Sequence, residues 1–205
     1  MKVIFASNNK GKITELQALL GHLHMTVVPQ AQLQIQDIPE TGATFVENAL
    51  LKARHACEKS GMPAIADDSG LVVAALNGAP GIFSARYAGE PSNAQANIEK
   101  LLRELHGIPE EKRNAYFYCA LAYLSNAHDP TPIICEGIWH GRILTAATGV
   151  HGFGYDPVFY DPAQQRSAAE LPLKIKNLIS HRAHALNMLF EKLTARGIEL
   201  CTHSP

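Results

Sequence analysis

The chain has 205 residues and a formal net charge of −1, with 46% hydrophobic and 18% charged residues. This length and composition are typical of one globular domain with a substantial core, so we predict a single domain over residues 1–205. The balanced charge excludes a general basic field that would attract nucleic acid or an anionic membrane, so we expect neither partner. Any phosphate binding must come from lysines and arginines that are concentrated locally.

The cysteines and the N-terminus indicate where the protein works. Four cysteines lie far apart and form no Cys-x-x-Cys pair, which indicates neither a zinc site nor a disulfide scaffold: Cys57, Cys119, Cys135 and Cys201. The apolar run that follows Met1 is too short for a signal peptide or a membrane span. We therefore expect a soluble protein of the reducing cytoplasm.

Strands and helices are predicted to alternate in the first part of the chain. Branched and aromatic residues predict a buried strand over residues 2–6, a helix that Gly21 ends, and a second strand over residues 25–28. The capping box Thr44-Phe45-Val46-Glu47 then begins a helix that runs to about Ser60.

The later part combines a helix with two long strands. The helix is predicted from Ser92 to Gly107, with Gln95 completing a second capping box. Residues 115–124 and 132–144 carry the strongest strand signals and predict a long antiparallel hairpin.

A final helix is predicted from Ser180 to about Ala195, followed by a loose tail after Leu200. Strand–helix units in front of a long hairpin predict an α/β fold, in which helices flank a long mixed sheet.

Two adjacent acids stand out in the middle of the chain. The apolar residues 64–66 run into Asp67 and Asp68, and then Ser69 and Gly70, which predicts a buried strand that ends at a turn. Ligands bind at the carboxyl ends of strands in open α/β sheets, and neighbouring carboxylates repel each other unless a cation balances them. Mg²⁺ suits such oxygen ligands. The alternative is a turn in which one acid merely caps the backbone.

Cationic residues begin two of the predicted helices. The segment Ser7-Asn8-Asn9-Lys10-Gly11-Lys12 lies between the first strand and the first helix, where the positive helix terminus disfavours lysines unless an anion joins them. A phosphate would resolve that conflict, although the spacing is not that of a Walker A loop. The alternative is a capped helix with two solvated lysines.

The segment Ser180-His181-Arg182 repeats this pattern at the start of the last helix. Exposed positive groups in a first helical turn cost about 0.3–1 kcal/mol each, which surface variation could absorb. Two such helix starts in one chain favour an anionic or carbonyl-bearing ligand, with Lys176 as a further donor. Arg182 could donate twice to one flat acceptor edge.

Two loops supply the remaining candidates. Phe153-Gly154-Tyr155-Asp156 lies in a glycine-dense loop, where an aromatic ring could stack on a base with a gain of about 1–3 kcal/mol. Its alternative is a core aromatic at a sheet corner. Glu40 precedes Thr41-Gly42 in a polar connector, from which a third metal carboxylate could come; a solvated loop acid is the alternative.

These segments together resemble the inosine triphosphate pyrophosphatase family, and within it the bacterial XTP/dITP pyrophosphatases. The resemblance rests on segments that occur in family order over nearly the whole chain: Ser7 to Lys12, Glu40-Thr41-Gly42 with Phe45 and Glu47-Asn48-Ala49, Ala66-Asp67-Asp68-Ser69-Gly70, Gly78 to Tyr87, Gly152 to Pro157, and Ile179-Ser180-His181-Arg182. Each segment alone is weak, but the set is highly specific.

The resemblance implies a two-lobed α/β fold with an active-site cleft between the lobes, a homodimer, and a single nucleoside-triphosphate pyrophosphatase domain. It also implies Mg²⁺-dependent hydrolysis of non-canonical purine nucleoside triphosphates (dITP, ITP and XTP) to the monophosphate and pyrophosphate. Such hydrolysis would clear these nucleotides from the nucleotide pool.

Residue roles follow from the resemblance by position. Asp68 is expected to be the proton acceptor and a metal ligand, with Glu40 and Asp67 supporting the metal. The segment from Ser7 to Lys12 is expected to hold the triphosphate, with Lys12 also stabilising the transferred group. The further substrate contacts are expected at Ser69, Phe153, Gly154, Tyr155, Asp156, Lys176, His181 and Arg182.

Two other functions are compatible with the residues alone. One is a nucleotide sensor that binds triphosphates without turnover, and the other is a phosphatase for ordinary nucleotides or sugar phosphates. The adjacent acids argue against the sensor, because bound phosphates alone would favour cations at that place. The first product released, and the relative rates on dITP, XTP, ATP and GTP, distinguish all three.

Overall fold

The structure, a computed structural model of the chain, describes residues 2–20 and 25–198. Within these residues seven strands form one sheet in the order β2-β1-β3-β4-β5-β6-β7. The strands are β1 Lys2–Phe5, β2 Thr26–Pro29, β3 Ala64–Val73, β4 Asn114–Leu124, β5 Ile133–Ile143, β6 Phe159–Asp161 and β7 Arg166–Ser167. The α-helices of the same described part are α1 Lys10–Leu20, α2 Phe45–Ser60, α3 Ala94–Glu104, α4 Leu173–Ile179 and α5 His181–Ala195.

The sheet is mixed, as the sequence predicts. β1 pairs in parallel with both β2 and β3, whereas β6 pairs antiparallel with both β5 and β7. The two long strands β4 and β5 are neighbours in the sheet. Asp129 shapes the segment that joins them, because its carboxylate accepts hydrogen bonds from the N–H groups of Ser125 (2.9 Å) and Thr131 (2.8 Å). The mixed sheet, together with the helices of the described residues, confirms the predicted α/β fold class.

The strand that carries the paired acids is longer than predicted. β3 is ten residues long, so Asp67 and Asp68 lie inside it and the predicted turn after them is wrong. The neighbouring strand β1 is the one that ends here, since it pairs with β3 only at Ala64 and Ile65. The chain can remain extended through two buried acids because cationic side chains compensate their charge, and the apolar pattern of the sequence does not report such partners.

The helix ends test the predicted capping motifs. α2 begins with the predicted capping box, in which Thr44 accepts from the N–H of Glu47 while Glu47 bonds back to the N-cap. The second capping box, assigned to Ser92 and Gln95, is wrong. α3 is capped by Asn93, whose side chain accepts from the N–H of Ala96 at 3.0 Å. Asparagine is at least as good an N-cap as serine, so the neighbouring residue takes the position.

Two predictions near the chain ends have different outcomes. The last helix is confirmed as α5, and its buried face is carried by Ala185, Leu186, Leu189 and Leu193. The predicted helix end at Gly21 and the predicted tail after Leu200 lie outside the described residues. Among the described residues, no helix combines the length and the apolar character that crossing a membrane requires.

The chain divides into two compact units. Unit 1 comprises residues 1–68, 119–137 and 182–205, and its core includes Phe5, Leu16, Ile65, Leu121 and Leu189. Unit 2 comprises residues 69–118 and 138–181, and its core includes Leu71, Leu101, Phe117, Trp139 and Phe159. The division passes through β3, β4 and β5, so each of these strands contributes to both cores.

The assignment of the α3 cap can be tested by substitution. Asn93→Ala should lower the free energy of unfolding by about 1 kcal/mol, because an N–H of the first helical turn loses its acceptor. Gln95→Ala is the matched change. If Gln95 completed a capping box, this change would lower the free energy of unfolding by a similar amount. Because Gln95 bonds to Glu99 on the helix surface at 2.9 Å, its removal should cost about 0.2–0.5 kcal/mol. Urea unfolding measures the free energy of unfolding of both variants. A larger loss in Gln95→Ala than in Asn93→Ala would contradict the assignment of the cap to Asn93.

Candidate active site

The polar segment between β1 and α1 presents positive charge at the start of a helix. The Oδ1 atom of Asn9 accepts from the N–H of Lys12 at 3.1 Å, and the N–H of Asn9 donates to the Oγ atom of Ser7 at 3.2 Å. α1 has no acidic residue in its first turn, where Lys10, Gly11 and Lys12 lie. Asn8 and Lys10 are exposed. The segment therefore offers a helix N-terminus and lysine charge, a combination that suits an anion.

Asp67 is a buried carboxylate of unit 1 that contacts a cation from each of the two helix starts, Lys12 and Arg182. Its Oδ1 atom accepts from the Nζ atom of Lys12 at 2.5 Å, and its Oδ2 atom accepts from the Nε atom of Arg182 at 2.7 Å. The thiol of Cys119 also donates to Oδ2, at 3.2 Å. Burial alone would raise the pKa of Asp67, but the charges of Arg182 and Lys12 outweigh it and hold the pKa well below its ordinary value.

Arg182 is also buried, and a second carboxylate compensates its charge. Only 1% of Arg182 is exposed, and its Nη1 atom donates to Glu15 of α1. Burial would lower the pKa of Arg182, but Asp67 and Glu15 together raise it. A buried chain of charges thus runs from Lys12 through Asp67 and Arg182 to Glu15. From the sequence we predicted that a phosphate balances the cations at these two helix starts. In the structure, Asp67 compensates the charges of Lys12 and Arg182.

Asp68 has a different environment, built around the ammonium of Lys52. The Nζ atom of Lys52 donates to Asp68 Oδ1 at 2.7 Å, to Glu40 Oε1 at 2.8 Å and to the carbonyl oxygen of Asp67 at 2.9 Å. Burial raises the pKa of Asp68 to about 6, although Lys52 and Lys12 oppose this rise. Burial also lowers the pKa of Lys52, but Asp68 and Glu40 outweigh it, so that this pKa is raised.

The pair formed by Glu40 and Asp68 fits a divalent cation. One ammonium contacts both carboxylates, so the two groups already share a single cation in unit 1. Two carboxylates are the usual protein contribution to a Mg²⁺ site that also uses phosphate oxygens. Asp67 directs both of its oxygens to Lys12 and Arg182, and no three acidic, histidine or cysteine side chains of the described chain form a metal-binding group. The structure therefore offers two carboxylates here, with Asp67 beside them.

The predicted base-binding loop is organised within unit 2 by Asp156. The Oδ2 atom of this buried carboxylate accepts from the N–H of Phe153 at 2.8 Å and from the Nζ atom of Lys176 at 2.5 Å. The same ammonium lies 5.0 Å from the centre of the Phe153 ring. Gly152 has a φ of +75° and a Cβ there would lie 2.0 Å from Asp156 Oδ2, so only glycine allows this turn.

The other predicted residues of unit 2 differ in exposure and partners. The hydroxyl of Tyr155 donates to the carbonyl oxygen of Ser84 at 2.8 Å, and Tyr155 is only 5% exposed, so it anchors the loop in this structure. The ring of His181 stacks on Phe117 with 4.9 Å between centres. Gly154 and Ser69 are half-buried.

Comparisons with known proteins agree with these features. A model of the Ham1 family matches residues 3–192. The chain belongs to the Ham1 family. A dITP/XTP pyrophosphatase from Salmonella paratyphi A is 53% identical over 192 residues, which cover 94% of this chain and 98% of the relative.

Solved structures of the Ham1 family extend the likeness to the fold. The HAM1 protein from Coxiella burnetii matches with a TM-score of 0.87 and 49% identity, over 95% of this chain and 99% of that one. The Ham1 protein from Staphylococcus aureus matches with a TM-score of 0.84 and 40% identity, over 96% and 100% of the two chains. The family and the α/β fold inferred from the sequence are thus confirmed.

Within this member of the Ham1 family, the structure assembles part of the predicted site. Unit 1 brings together Lys12, Glu40, Asp67, Asp68 and Arg182. Unit 2 brings together Phe153, Asp156 and Lys176. The substrate, metal and proton-transfer roles of all these residues stay predictions.

Sequence reasoning missed three polar residues of the unit 1 site: Glu15, Asn48 and Lys52. Glu15 lies one helical turn after Lys12 on α1, and Asn48 and Lys52 lie one turn apart on α2. Each is a common residue for a solvated helix face, so the residue type alone gives no warning. Two signals were available: Asn48 lies in one of the segments that carry the family resemblance, and Asn48 and Lys52 face the same side of α2 as the buried Ala49 and Ala56.

The buried ion pairs of Asp67 predict a pH-dependent loss of stability. Asp67→Asn should lower the free energy of unfolding by about 3–5 kcal/mol at pH 7, because Arg182 and Lys12 lose a buried partner. The folded-state pKa of Asp67 is depressed below the unfolded value of about 3.9. Its stabilising contribution is therefore complete above about pH 5 and declines below about pH 4.

Urea unfolding of wild type and Asp67→Asn between pH 3 and pH 8 measures this effect. The difference between the two proteins should be constant above about pH 5 and should shrink towards pH 3. Glu58→Gln, at an exposed position of α2, is the control and should stay within about 0.5 kcal/mol of wild type. A difference that persists unchanged to pH 3 would contradict the depressed pKa.

Proposed function

We propose that this protein hydrolyses non-canonical purine nucleoside triphosphates (dITP, ITP and XTP) to the monophosphate and pyrophosphate, and so removes them from the nucleotide pool. The observation that carries the proposal is the grouping of Lys12 and Lys52 around two adjacent buried acids of opposite pKa shift. Cations for phosphates and a basic carboxylate are the parts that such hydrolysis needs. The name dITP/XTP pyrophosphatase, carried by a relative 53% identical to this chain, supports the substrate class.

Asp68 is the proposed proton acceptor. Its pKa of about 6 leaves it ionised at neutral pH yet more basic than an ordinary aspartate, which suits a general base. In the proposed reaction a water oxygen bonds to the α-phosphorus and gives its proton to the Asp68 carboxylate. The bond from the α-phosphorus to the bridging oxygen breaks, and pyrophosphate leaves with the electron pair. Asp67 stays ionised between its cations and takes no proton in this scheme.

The phosphate groups are assigned to the start of α1. Ser7, Asn8, Asn9, Lys10 and Gly11 would contact the triphosphate through the exposed segment and the N-terminal N–H groups of the helix. Lys12 would stabilise the charge on the transferred group, because preorganised cations are most effective where charge develops. Lys52 would act beside it, since its ammonium lies against Asp68.

Glu40 and Asp68 are the residues proposed to hold Mg²⁺, with Asp67 supporting the site through its contacts with Lys12 and Arg182. When bound, Mg²⁺ would neutralise charge on the phosphate oxygens. The closeness of the two carboxylates favours this assignment, because both already contact the ammonium of Lys52 and a divalent cation is attracted to such a pair. Removal of divalent ions with EDTA should therefore abolish pyrophosphate release.

Base and sugar contacts are proposed for a set of residues whose character suits a purine: Ser69, Phe153, Gly154, Tyr155, Asp156, Lys176, His181 and Arg182. Phe153 is half-buried and could stack on a base, with Lys176 held over its ring by Asp156. Two nitrogens of Arg182 donate to Asp67 and Glu15, so its proposed contact with a 6-oxo group would come in addition to these ion pairs. A homodimer, a cleft between two lobes and a cytoplasmic location are proposed on the family resemblance.

A substrate panel tests this function. With Mg²⁺ and dITP or XTP the protein should release pyrophosphate as its first product, and kcat/KM on ATP should be about 10–100-fold lower because adenine presents a donor where a 6-oxo group accepts. Asp68→Asn should reduce kcat by about 10²–10⁴-fold while nucleotide binding persists. Orthophosphate as the first product would indicate a phosphatase, and binding without turnover would indicate a sensor; either result rejects the proposal.

Lys52 offers a second test with a matched control on the same helix. Lys52→Met should lower kcat on dITP by about 100-fold, since it removes a cation from beside the reacting groups and leaves Glu40 and Asp68 to repel each other. Lys59→Met, at an exposed position of α2, removes the same charge elsewhere and should leave kcat unchanged. Steady-state pyrophosphate release measures both variants. Equal effects of the two changes would show that only net charge matters.

A further inference from the structure

Asn48 contacts both segments that carry the proposed metal carboxylates. It is completely buried on α2. Its Oδ1 atom accepts from the N–H of Gly42 at 2.8 Å, and its Nδ2 atom donates to Asp68 Oδ2 at 3.4 Å. Gly42 follows Glu40 by two residues. One neutral amide therefore links the segment that bears Glu40 with the strand that bears Asp68.

The contact with Gly42 leaves no space for a side chain. A Cβ atom at Gly42 would lie 2.6 Å from Glu47 Cβ and 2.8 Å from Asn48 Oδ1. Gly42 does not have a positive φ, so close packing against α2, rather than backbone conformation, requires glycine here. The connector is thus fixed against the helix at the point where Asn48 bonds to it.

Asn48 and Lys52 hold Asp68 in different ways. Lys52 bonds to Oδ1 and Asn48 bonds to Oδ2, so both carboxylate oxygens have a partner on α2. The ammonium of Lys52 opposes any divalent cation placed between Glu40 and Asp68. The amide of Asn48 carries no charge, so it can orient Asp68 without that opposition.

We propose that Asn48 is a positioning residue that sets the separation of Glu40 and Asp68, and thereby the affinity of this pair for a divalent cation. It acts through Asp68 and through the N–H of Gly42, and it needs no contact with substrate. The inference rests on the proposed function in taking Glu40 and Asp68 as the metal carboxylates. Loss of a group that orients a metal ligand typically weakens metal affinity by about 10–100-fold.

Titration of the nucleotide-free protein with Mn²⁺, followed by electron paramagnetic resonance, tests this proposal. Asn48→Ala removes both bonds, and Gly42→Ala displaces the connector without removing a charged or polar side chain. Each change should raise the Mn²⁺ dissociation constant about tenfold or more. The double variant should bind about as weakly as the weaker single variant, because both changes break the same link.

Asn97 provides a matched control in unit 2. It is a buried asparagine on α3 whose Oδ1 atom accepts from the N–H of Ala88 at 2.7 Å and whose Nδ2 atom donates to the carbonyl oxygen of Ala85 at 3.0 Å. Asn97→Ala therefore removes a comparable bridge between a helix and a connector. Its Mn²⁺ dissociation constant should stay within about twofold of wild type, even if its unfolding free energy falls as much as that of Asn48→Ala.

Each outcome decides the proposal. Wild-type Mn²⁺ affinity in folded Asn48→Ala and Gly42→Ala overturns it, as does an equal loss in Asn97→Ala or the absence of Mn²⁺ binding by the wild type. If Asn48→Ala does not fold, Gly42→Ala supplies the comparison. Pyrophosphate release by the wild type on dITP is measured in parallel: its absence rejects the proposed function, whereas its presence with unchanged Mn²⁺ affinity in the variants rejects only the role of Asn48.

Discussion

The buried carboxylate of Asp67 is the constraint on which the rest of unit 1 depends. Its charge is compensated by Lys12 from the start of α1 and by Arg182 from the start of α5, while Glu15 compensates Arg182 in turn. Removing one partner of a buried ion pair leaves an unpaired charge, which costs several kcal/mol. The strand β3 and the helices α1 and α5 must therefore be in place together. The cations that are unfavourable at the helix starts compensate the charge of Asp67 on β3.

The neighbouring acid is used differently because a strand points successive side chains to opposite faces. Asp67 contacts α1 and α5, whereas Asp68 contacts Asn48 and Lys52 of α2. The first environment lowers the pKa of Asp67, and the second leaves the pKa of Asp68 raised. Two adjacent carboxylates whose environments separate their pKa values can divide structural and proton-accepting roles, as acid–base sites commonly require.

The residues that sequence reasoning missed share a physical cause. Glu15, Asn48 and Lys52 are ordinary residues for a helix surface, and their significance comes only from partners that lie far away in the chain. A capping box or a glycine end is a local interaction, which is why the start and end of α2 could be predicted. An ion pair such as that between Asp67 and Arg182 joins residues 115 positions apart, so no local pattern encodes it.

The sequence by itself determined the α/β class, the family, the end of α5 near Ala195 and the candidate cations at both helix starts, because these depend on periodicity, local capping and residue type. Only the tertiary structure decided that β3 continues through its two acids, that Asn93 caps α3, and that Lys12 and Arg182 both form ion pairs with Asp67. The reason is that a buried charge is tolerated only where opposite charges or hydrogen-bonding groups lie next to it. The packing of elements that are distant in the sequence determines which groups those are.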